Sequence, residues 1–250
     1  MQRYFVNKEA VSDGVVTITG EDVKHISKVM RMEPGDQIIC NDNDGFSARC
    51  ELDELSKEKV TAKVLEQLNE NHELPVNVHI AYGLSKGDKV EAVVQKGTEL
   101  GASCFYPFAA QRSVVKWDDK KEPKKLERLE KIAKEAAEQS HRDYMPVVKG
   151  HHTFKEIIET GKQFAHKLLV YEETAKAGKH PVLFRALQEV KPGEALFVII
   201  GPEGGISPQE AEEAEKNGFL SVSLGPRIVR SETAPLYILS AISYHFEISR

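Results

Sequence analysis

Short stretches of β-branched or alternating apolar and polar residues recur through residues 1–72. They are Val15 to Thr19, Gln37 to Cys40, Phe46 to Leu52 and Lys59 to Leu65. Pro34-Gly35-Asp36 and the polar cluster at 41–45 are typical of the turns between such strands. The segment from Glu21 to Met32 differs, because Val23, Ile26, Val29 and Met30 fall on one face of a helix. Several short strands around one helix predict a small β-barrel.

A different pattern begins after the polar residues 66–73 and Pro75. Buried strands now alternate with amphipathic helices, which predicts a mainly parallel sheet with helices on both faces. The predicted strands are Val76 to Tyr82, Ser103 to Phe108, Lys167 to Tyr171, Ala195 to Ile200 and Leu220 to Leu224. We therefore expect two domains, residues 1–72 and residues 73–250.

Four helices of the second domain are predicted from their apolar stripes and end signals. They are a helix from Val90 to Leu100 that ends at Gly101, one from Pro123 to Ser140, one that begins after Ser207, and one from about Pro235 to Phe246. Ser207 and Glu210 have the spacing of a capping box around Pro208, and Gly218 is placed to end that helix. The last helix carries the stripe Leu236, Leu239, Ile242 and Phe246.

The composition is that of an ordinary globular protein. Of 250 residues, 40% are hydrophobic and 29% are charged, and the net charge is −5, so a strongly basic nucleic-acid binder is not indicated, although an acidic total can include a basic face. No apolar run is long enough to span a membrane, and Met1 to Val6 lacks the apolar core of a secretory signal. Three scattered cysteines without CxxC spacing predict a reducing cytoplasm.

Common catalytic and cofactor motifs do not occur. The chain has no GxGxxG or GxxxxGK[ST] motif, which leaves dinucleotide and nucleoside triphosphate sites without support. It also has no GxSxG, HExxH or CxxC motif, so neither a hydrolase triad nor a metal site is predicted.

Two glycine-containing loops follow successive predicted strands. Residues 199–206 read IIGPEGGI and residues 224–234 read LGPRIVRSETA. Ligands of open α/β sheets bind outside the carboxyl ends of the strands, and glycine lets a ligand approach the backbone closely. The same glycines are also compatible with simple turns and helix ends.

These loops carry a resemblance to a known family. GPEGG at 201–205 and SLGPRIVRSETA at 223–234 resemble the ribosomal RNA small-subunit methyltransferase E family (RsmE), of the SPOUT superfamily. Further similar stretches are Arg3 to Val6, His25 to Arg31, Pro34 to Asp36, Lys86 to Lys89, Gln95 to Gly101 and Glu138 to Arg142, where the family often has a cysteine near Ser140. The resemblance therefore covers nearly the whole chain.

The resemblance implies a specific fold and activity. We expect an α/β protein with a C-terminal SPOUT-type, trefoil-knotted, parallel-sheet methyltransferase domain and a smaller N-terminal PUA-like β-barrel that binds RNA. The expected reaction is methylation of N3 of a uridine in 16S ribosomal RNA, with S-adenosyl-L-methionine (SAM) as methyl donor and a homodimer as the working form. Two rivals remain open, namely a SPOUT ribose 2′-O methyltransferase and a non-catalytic RNA-binding or ribosome-assembly protein.

The cofactor-binding residues follow from the two loops and the strand end before them. We expect Tyr171, Ile199, Gly201, Gly204, Gly205, Leu224, Gly225, Ile228 and Arg230 to surround SAM. Loop backbone groups can read an adenine edge while the apolar side chains supply contact area.

Arg230 and Glu232 are the predicted catalytic residues. Loss of the N3 proton of uracil places negative charge on the two flanking carbonyl oxygens, which a guanidinium can stabilise as it develops. Glu232 or Glu203 can receive the proton, and the general base stays open between them. The plainer alternative is a local salt-bridge network of Arg227, Arg230 and Glu232 without a catalytic role.

RNA contacts are predicted at dispersed basic residues. Arg3, Lys28, Arg31, Lys86, Lys96, Arg112 and Arg142 are expected to form a track for phosphates of 16S ribosomal RNA or of the small-subunit particle. Arg142 in particular is expected near a surface, at the end of a helix. The alternative for each residue is an ordinary solvated cation.

Overall fold

The computed structural model describes residues 1–118, 120–173 and 182–249. The chain divides into two compact units, Met1–Glu73 with Ala137–Met145, and Leu74–Ala136 with Pro146–Arg250. Residues 137–145 thus group with the N-terminal residues, an arrangement that no single linear boundary describes. The domain bounds 1–72 and 73–250 remain a prediction.

The N-terminal unit contains a six-stranded sheet among the described residues. Its strands are β1 (Arg3–Phe5), β2 (Val11–Ser12), β3 (Val15–Thr19), β4 (Gln37–Asn41), β5 (Ser47–Leu55) and β6 (Lys59–Gln67), in the spatial order β1-β4-β5-β6-β3-β2. The pair β1 and β4 is parallel, and the other pairs are antiparallel. Alternate residues such as Val16 and Ile18 are fully buried, as the period of two requires. The four predicted strands are confirmed within a few residues.

The predicted helix from Glu21 to Met32 is shorter and less regular than expected. Helix α1 (Glu21–Lys24) continues into a π-helical turn (His25–Val29), in which the Met30 N–H donates to the His25 carbonyl five residues back. Val23 and Ile26 are buried as predicted, but Val29 is 66% exposed and Met30 is 38% exposed. The prediction that Val29 and Met30 lie on the same face as Val23 and Ile26 was wrong, because a π turn breaks the spacing of an α-helix.

A parallel sheet forms the centre of the second unit. Its described strands are β7 (Asn77–Gly83), β8 (Cys104–Ala109), β9 (Val147–Val148), β10 (His152–Thr153), β11 (His166–Val170), β12 (Ala195–Ile200) and β13 (Leu220–Val222). The order is β10-β8-β7-β12-β11-β13, with β9 also paired to β8, and every pair is parallel. The predicted parallel sheet is confirmed. The two-residue strands β9 and β10 are too short to show a period in the sequence.

Helices cover both faces of this sheet. They are α2 (Lys89–Glu99), α3 (Glu122–Gln139), α4 (Phe154–Gly161), α5 (Val182–Glu189), α6 (Pro208–Lys216) and α7 (Thr233–Ser243), with a π-helical turn at Tyr244–Ile248. Along β12, Leu196, Val198 and Ile200 join one apolar cluster, and Phe197 and Ile199 join another. The first cluster contains residues of α2, α3, α5 and α7, and the second contains residues of α4 and α6. Successive side chains of a strand point to opposite faces, so these clusters are the two faces of the sheet.

End signals in the sequence predicted α6 correctly. The Ser207 hydroxyl accepts the Glu210 N–H at 3.2 Å, and the Glu210 carboxylate accepts the Ser207 N–H at 2.9 Å, which completes the capping box. Gly218 has φ +84, the conformation in which glycine ends a helix. None of the helices in the described ranges combines the length and apolar composition needed to cross a membrane.

Candidate functional site

A cavity of about 660 Å³ lies at the carboxyl ends of three neighbouring strands of the parallel sheet. Residues that follow β11, β12 and β13 supply most of its wall, and Lys89 and Arg112, which follow β7 and β8, complete it. Its volume is within the range of about 300–1,000 Å³ that is common for small-molecule sites. This is the sheet edge at which the sequence predicted a ligand.

The loop after β12 is tightly folded around its glycines. A Cβ on Gly201 would lie 3.0 Å from the backbone of Gly205 and Ile206, and Gly205 has φ +70. A Cβ on Gly83, at the end of β7, would lie 2.4 Å from the Pro202 nitrogen. Gly201 and Gly83 thus serve close backbone approach, while Gly205 serves a left-handed turn. The sequence left open whether the loop glycines form turns or line a ligand site. Gly201 and Gly205 do both, because they shape the loop and also lie in the cavity wall.

The loop after β13 places the side chains of two arginines at the cavity. Gly225 has φ +100, and both Arg227 and Arg230 line the cavity and are exposed. Within the described ranges, neither guanidinium forms an ion pair or a side-chain hydrogen bond. The alternative of a local salt bridge to Glu232 is therefore not what the structure contains. Ile228 between them is 77% exposed, which leaves an apolar side chain available to a ligand.

Lys89 pairs with Glu203, which lines the cavity, and with the predicted catalytic residue Glu232, which does not line it. Its ammonium lies 3.2 Å from Glu203 Oε1 and 3.1 Å from Glu232 Oε2. The backbone N–H of Lys86 also donates to Glu203 at 3.0 Å, and the Ser231 hydroxyl donates to Glu232 at 3.1 Å. Both candidate proton acceptors are thus fixed by the same cation.

The charges of this group stabilise one another. Burial raises the pKa of Glu203 and of Glu232, but hydrogen bonds from backbone N–H groups and from Lys89 outweigh burial, so both pKa values lie below the ordinary value of 4.5. The hydrogen bond to Glu232 is the main reason why the pKa of Lys89 is raised above 10.5. All three groups are charged at neutral pH, and Lys89 itself cannot act as a base there.

The predicted cofactor residues meet at this cavity with one exception. Tyr171, Gly201, Gly204, Gly205, Leu224, Gly225, Ile228 and Arg230 all line it. Ile199 does not, because its side chain is fully buried in the apolar cluster on one face of the sheet. Ile200 lines the cavity in its place, and the alternation of side chains along β12 accounts for the error of one residue.

Arg112, another predicted RNA contact, is exposed, and its contact with RNA remains a prediction. It lines the cavity, and its Nη1 donates to the Gly204 carbonyl at 3.3 Å and to the Ile206 carbonyl at 3.5 Å. The neighbouring Gln111 N–H donates to Glu210 at 2.7 Å. These bonds attach the segment after β8 to the loop after β12, so Arg112 supports the wall of the cavity.

Sequence reasoning missed Lys89 as a member of the site. The signal was present, since Lys86 to Lys89 directly follows the carboxyl end of β7, and β7 lies beside β12 in the sheet. The strand order was not known from the sequence, however, and without it no residue of this segment was assigned to the loops of Glu203 and Glu232.

Two of the predicted RNA-binding arginines are buried. Arg3 is 2% exposed, and its Nη1 donates to the Arg142 carbonyl at 3.0 Å and to Asp143 at 2.7 Å. Arg142 is 3% exposed, and its guanidinium is paired with Glu73. The expectation that they lie on a surface track was wrong, because both guanidiniums are buried and pair with the half-buried carboxylates of Asp143 and Glu73 in the same unit.

The remaining predicted RNA contacts are exposed. Lys28, Arg31, Lys86 and Lys96 all lie on the surface, and Lys96 is paired with Glu99 at 2.8 Å. Arg31 has φ +53, an uncommon backbone conformation for a residue other than glycine. Their contact with RNA remains a prediction.

Comparison with known proteins supports these observations. Residues 72–243 match the model of an RNA methyltransferase domain, and residues 18–65 match that of an RNA methyltransferase PUA domain. The ribosomal RNA small subunit methyltransferase E of Bacillus subtilis (strain 168) is 50% identical over 253 aligned positions, which cover 100% of this chain and 99% of that protein.

Two solved structures of similar proteins contain the predicted cofactor. A ribosomal RNA small subunit methyltransferase E from Neisseria gonorrhoeae, bound to S-adenosyl methionine, has a TM-score of 0.85 and 29% identity, with 98% of both chains covered. A methyltransferase from Legionella pneumophila, in complex with SAM, has a TM-score of 0.85 and 30% identity, with 97% of both chains covered.

The similarity extends over the whole length of the chain. It confirms the predicted fold class, a SPOUT-type parallel-sheet methyltransferase domain with a smaller PUA-like domain. The trefoil knot within that class stays a prediction. Since the methyltransferase model matches most of the chain and the Bacillus subtilis relative is 50% identical to all of it, this chain belongs to the ribosomal RNA small subunit methyltransferase E family.

Proposed function

We propose that this protein methylates N3 of a uridine in 16S ribosomal RNA and binds SAM in the cavity at the carboxyl ends of β11, β12 and β13. One observation carries the proposal. The cavity combines the glycine loops expected to hold a cofactor with an exposed arginine, Arg230, that has no partner among the described residues. The family to which the chain belongs, and the two relatives whose structures contain SAM, support SAM-dependent methyl transfer as the reaction class.

The cavity fits a cofactor that is bound mainly by backbone and apolar contacts. Glycine loops give access to backbone N–H and carbonyl groups, and Leu224 and Ile228 provide apolar surface beside them. A Cβ on Gly225 would meet only Tyr237 Oη, at 3.7 Å, so the backbone at this position is open to a ligand. SAM supplies an electrophilic methyl group on its sulfonium, and the chain must orient the acceptor and keep water out.

The acceptor nitrogen must lose its proton. N3 of uracil lies between two carbonyl groups, and deprotonation places negative charge on both oxygens. We assign Arg230 to stabilise that charge. Glu203 and Glu232 are both ionised at neutral pH and can receive the proton; Glu203 lines the cavity, and Glu232 is held next to it by Lys89. The N3 edge is hidden in a base pair, so the target uridine must be unpaired or extruded into the cavity. Lys28 and Arg31 of the PUA-like domain are available for RNA phosphates.

Nucleoside analysis tests the reaction. Purified protein is incubated with SAM and with either free 16S RNA or small subunits from a strain that lacks the gene, and the RNA is digested for mass spectrometry. We expect 3-methyluridine to appear. A 2′-O-methylated nucleoside would assign ribose methylation instead, and no methylation of either RNA in the presence of tight SAM binding would indicate a non-catalytic role.

Two glycine variants test the cofactor site. Gly225→Ala and Gly193→Ala both place a Cβ at a positive φ where no atom lies closer than 3.7 Å, but only Gly225 lines the cavity. Backbone strain of this kind costs about 1–3 kcal/mol in either variant. We expect calorimetry to show weaker SAM binding for Gly225→Ala alone. Equal SAM affinity in both variants would place the cofactor elsewhere.

We further propose a homodimer. The apolar stripe of the last helix does not supply the dimer surface. Leu239, Ile242 and Phe246 are buried within the subunit. A different surface near the C-terminus is apolar and exposed, with Tyr244 60%, Ile248 69% and Phe184 59% exposed. Light scattering at micromolar concentration should give a dimer, and Tyr244→Asp should shift it towards the monomer. A wild-type monomer would contradict this assignment.

We also propose a cytoplasmic location and a knotted path of the chain, both of which the resemblance to the family implies. The three cysteines are buried free thiols, which suits the reducing cytoplasm in which ribosomal RNA is modified. A trefoil knot in the C-terminal domain is proposed on the resemblance to the SPOUT superfamily.

A further inference from the structure

One cation joins three loops at the carboxyl edge of the parallel sheet. Lys89 begins α2, which follows β7, and its ammonium contacts Glu203 in the loop after β12 and Glu232 in the loop after β13. The side chains of all three residues are between 26% and 30% exposed. Such partial burial makes an ion pair stronger than one between fully solvated groups.

The hydrogen bonds around the two carboxylates keep this arrangement in one geometry. The Tyr82 hydroxyl, from β7, donates to Ser231 Oγ at 3.2 Å, and Ser231 Oγ donates to Glu232. Glu203 is held in turn by the backbone of Lys86. A connected polar network of this kind fixes its members more strongly than an isolated pair does.

This network decides which charges face the cavity. Arg230 is two residues from Glu232 on the same loop, and an unheld carboxylate there would be attracted to its guanidinium. The ammonium of Lys89 lies 3.1 Å from Glu232 Oε2, and in the described ranges the guanidinium of Arg230 has no ion-pair partner. An unpaired guanidinium is what the developing negative charge on uracil requires.

We propose that Lys89 is a positioning residue for methyl transfer, which holds Glu232 and Glu203 in place and thereby keeps Arg230 available to the substrate. This inference rests on the proposed function, since it concerns the same cavity. Lys89 acts through the two carboxylates and Arg230 and needs no contact with the reacting atoms.

The variant Lys89→Met removes the charge and keeps most of the side-chain volume. We expect kcat, measured as methyl incorporation at saturating SAM and RNA, to fall about 10- to 100-fold, the scale of a misplaced catalytic group. The dissociation constant for SAM should change by less than about threefold, which is under 0.7 kcal/mol. Lys89→Arg, which retains a cation, should recover most of the rate. As a matched control, Lys216→Met removes an exposed lysine–glutamate pair on α6 and should leave kcat unchanged.

The pH profile separates positioning from a merely structural role. The ammonium of Lys89 helps to lower the pKa of Glu232, so its removal raises that pKa. If ionised Glu232 is needed, the acidic limb of kcat/KM moves to higher pH in Lys89→Met and stays in place in Lys216→Met. A folded Lys89→Met with near-normal kcat, or with a lower kcat, an unmoved acidic limb and no recovery in Lys89→Arg, would overturn the proposal.

Methyl incorporation and product identity are measured separately. Wild-type protein that transfers methyl groups to another atom would refute the N3 assignment while the comparison of variants still tests Lys89. A loss in Lys89→Met that appears only as weaker SAM binding, with normal kcat at saturation, would make Lys89 a cofactor-site residue and overturn the positioning role.

Discussion

The protein contains two clusters of opposite charges that look alike in the sequence and differ in the structure. In the N-terminal unit, Arg3 and Arg142 are nearly inaccessible and paired with Asp143 and Glu73. In the second unit, Lys89 pairs with Glu203, which lines the cavity, and with Glu232 beside it, and the guanidinium of Arg230 stays exposed and unpaired within the described ranges. The arginines of the first cluster are paired and inaccessible to a ligand, whereas Arg230 beside the second cluster is accessible to one.

This difference shows when an arginine is available to a ligand. It is available when the carboxylates near it are paired with another basic side chain, and it is not when they are paired with the arginine itself. A buried pair that loses one member leaves an uncompensated charge, so its cost appears in stability. An unpaired arginine at a cavity costs little to the fold and can be used where charge develops in a reaction.

Replacing Arg142 should damage the fold. Arg142→Met leaves the Glu73 carboxylate without its guanidinium, and we expect a loss of about 3–5 kcal/mol in the free energy of unfolding, measured by denaturant titration at fixed protein concentration. If the single variant is too unstable to purify, Arg142→Met/Glu73→Gln serves instead, and it should lose less because no buried charge is left unpaired. A loss below about 1 kcal/mol in the single variant would show that the pair is not a buried structural one.

Replacing Arg230 should have the opposite profile. Arg230→Ala should retain the unfolding free energy within about 0.5 kcal/mol, as is usual for an exposed side chain, and lower kcat about 100- to 1,000-fold. The reason is that its target charge exists mainly in the transition state. Single-turnover methylation at saturating SAM and RNA measures the loss. A near-normal rate would remove Arg230 from the catalytic residues, and a complete loss of SAM binding would assign it to the cofactor.

Exposed cations of the PUA-like domain should affect RNA affinity alone. Arg31→Ala should lower the slope of log K against log salt concentration by about 1, the value for one phosphate contact, with SAM binding unchanged. Arg3→Met, in the fraction that folds, should leave the slope as it is because Arg3 is buried. Filter-binding titrations at several salt concentrations measure both slopes. Equal slopes for wild type and Arg31→Ala would exclude a phosphate contact at Arg31.

A small pH effect on stability should come from the cavity cluster. The pKa of Glu232 is lower in the folded protein than its ordinary value of 4.5, so the stabilisation by its carboxylate is fully present above that value and is lost as pH falls through the folded pKa. Unfolding free energies of wild type and Glu232→Gln should therefore differ most at neutral pH and converge as the solution becomes more acidic. A difference that grows below pH 4.5 would mean that the sign of the shift is wrong.

Local patterns in the sequence predicted much of the fold. Alternation and helical stripes predicted the main strands, the parallel sheet and the end signals of α6, because these patterns record which side of a local element is buried. The sequence predicted secondary structure less well where the local spacing changes, as in the π turn at His25–Val29, and where strands have only two residues. The glycine loops also located the cavity, since a backbone that must approach a ligand or another chain segment shows as glycine.

Tertiary structure alone decided which charged residues serve which purpose. Ion pairs such as Arg3 with Asp143, 140 residues apart, and Lys89 with Glu232 depend on strand order and on the packing of distant segments, and neither leaves a local pattern. The sequence therefore placed the buried Arg3 and Arg142 on an RNA track and did not indicate Lys89 as part of the site. The physical reason is that burial and pairing are properties of a residue's neighbours in space, whereas periodicity reports only neighbours along the chain.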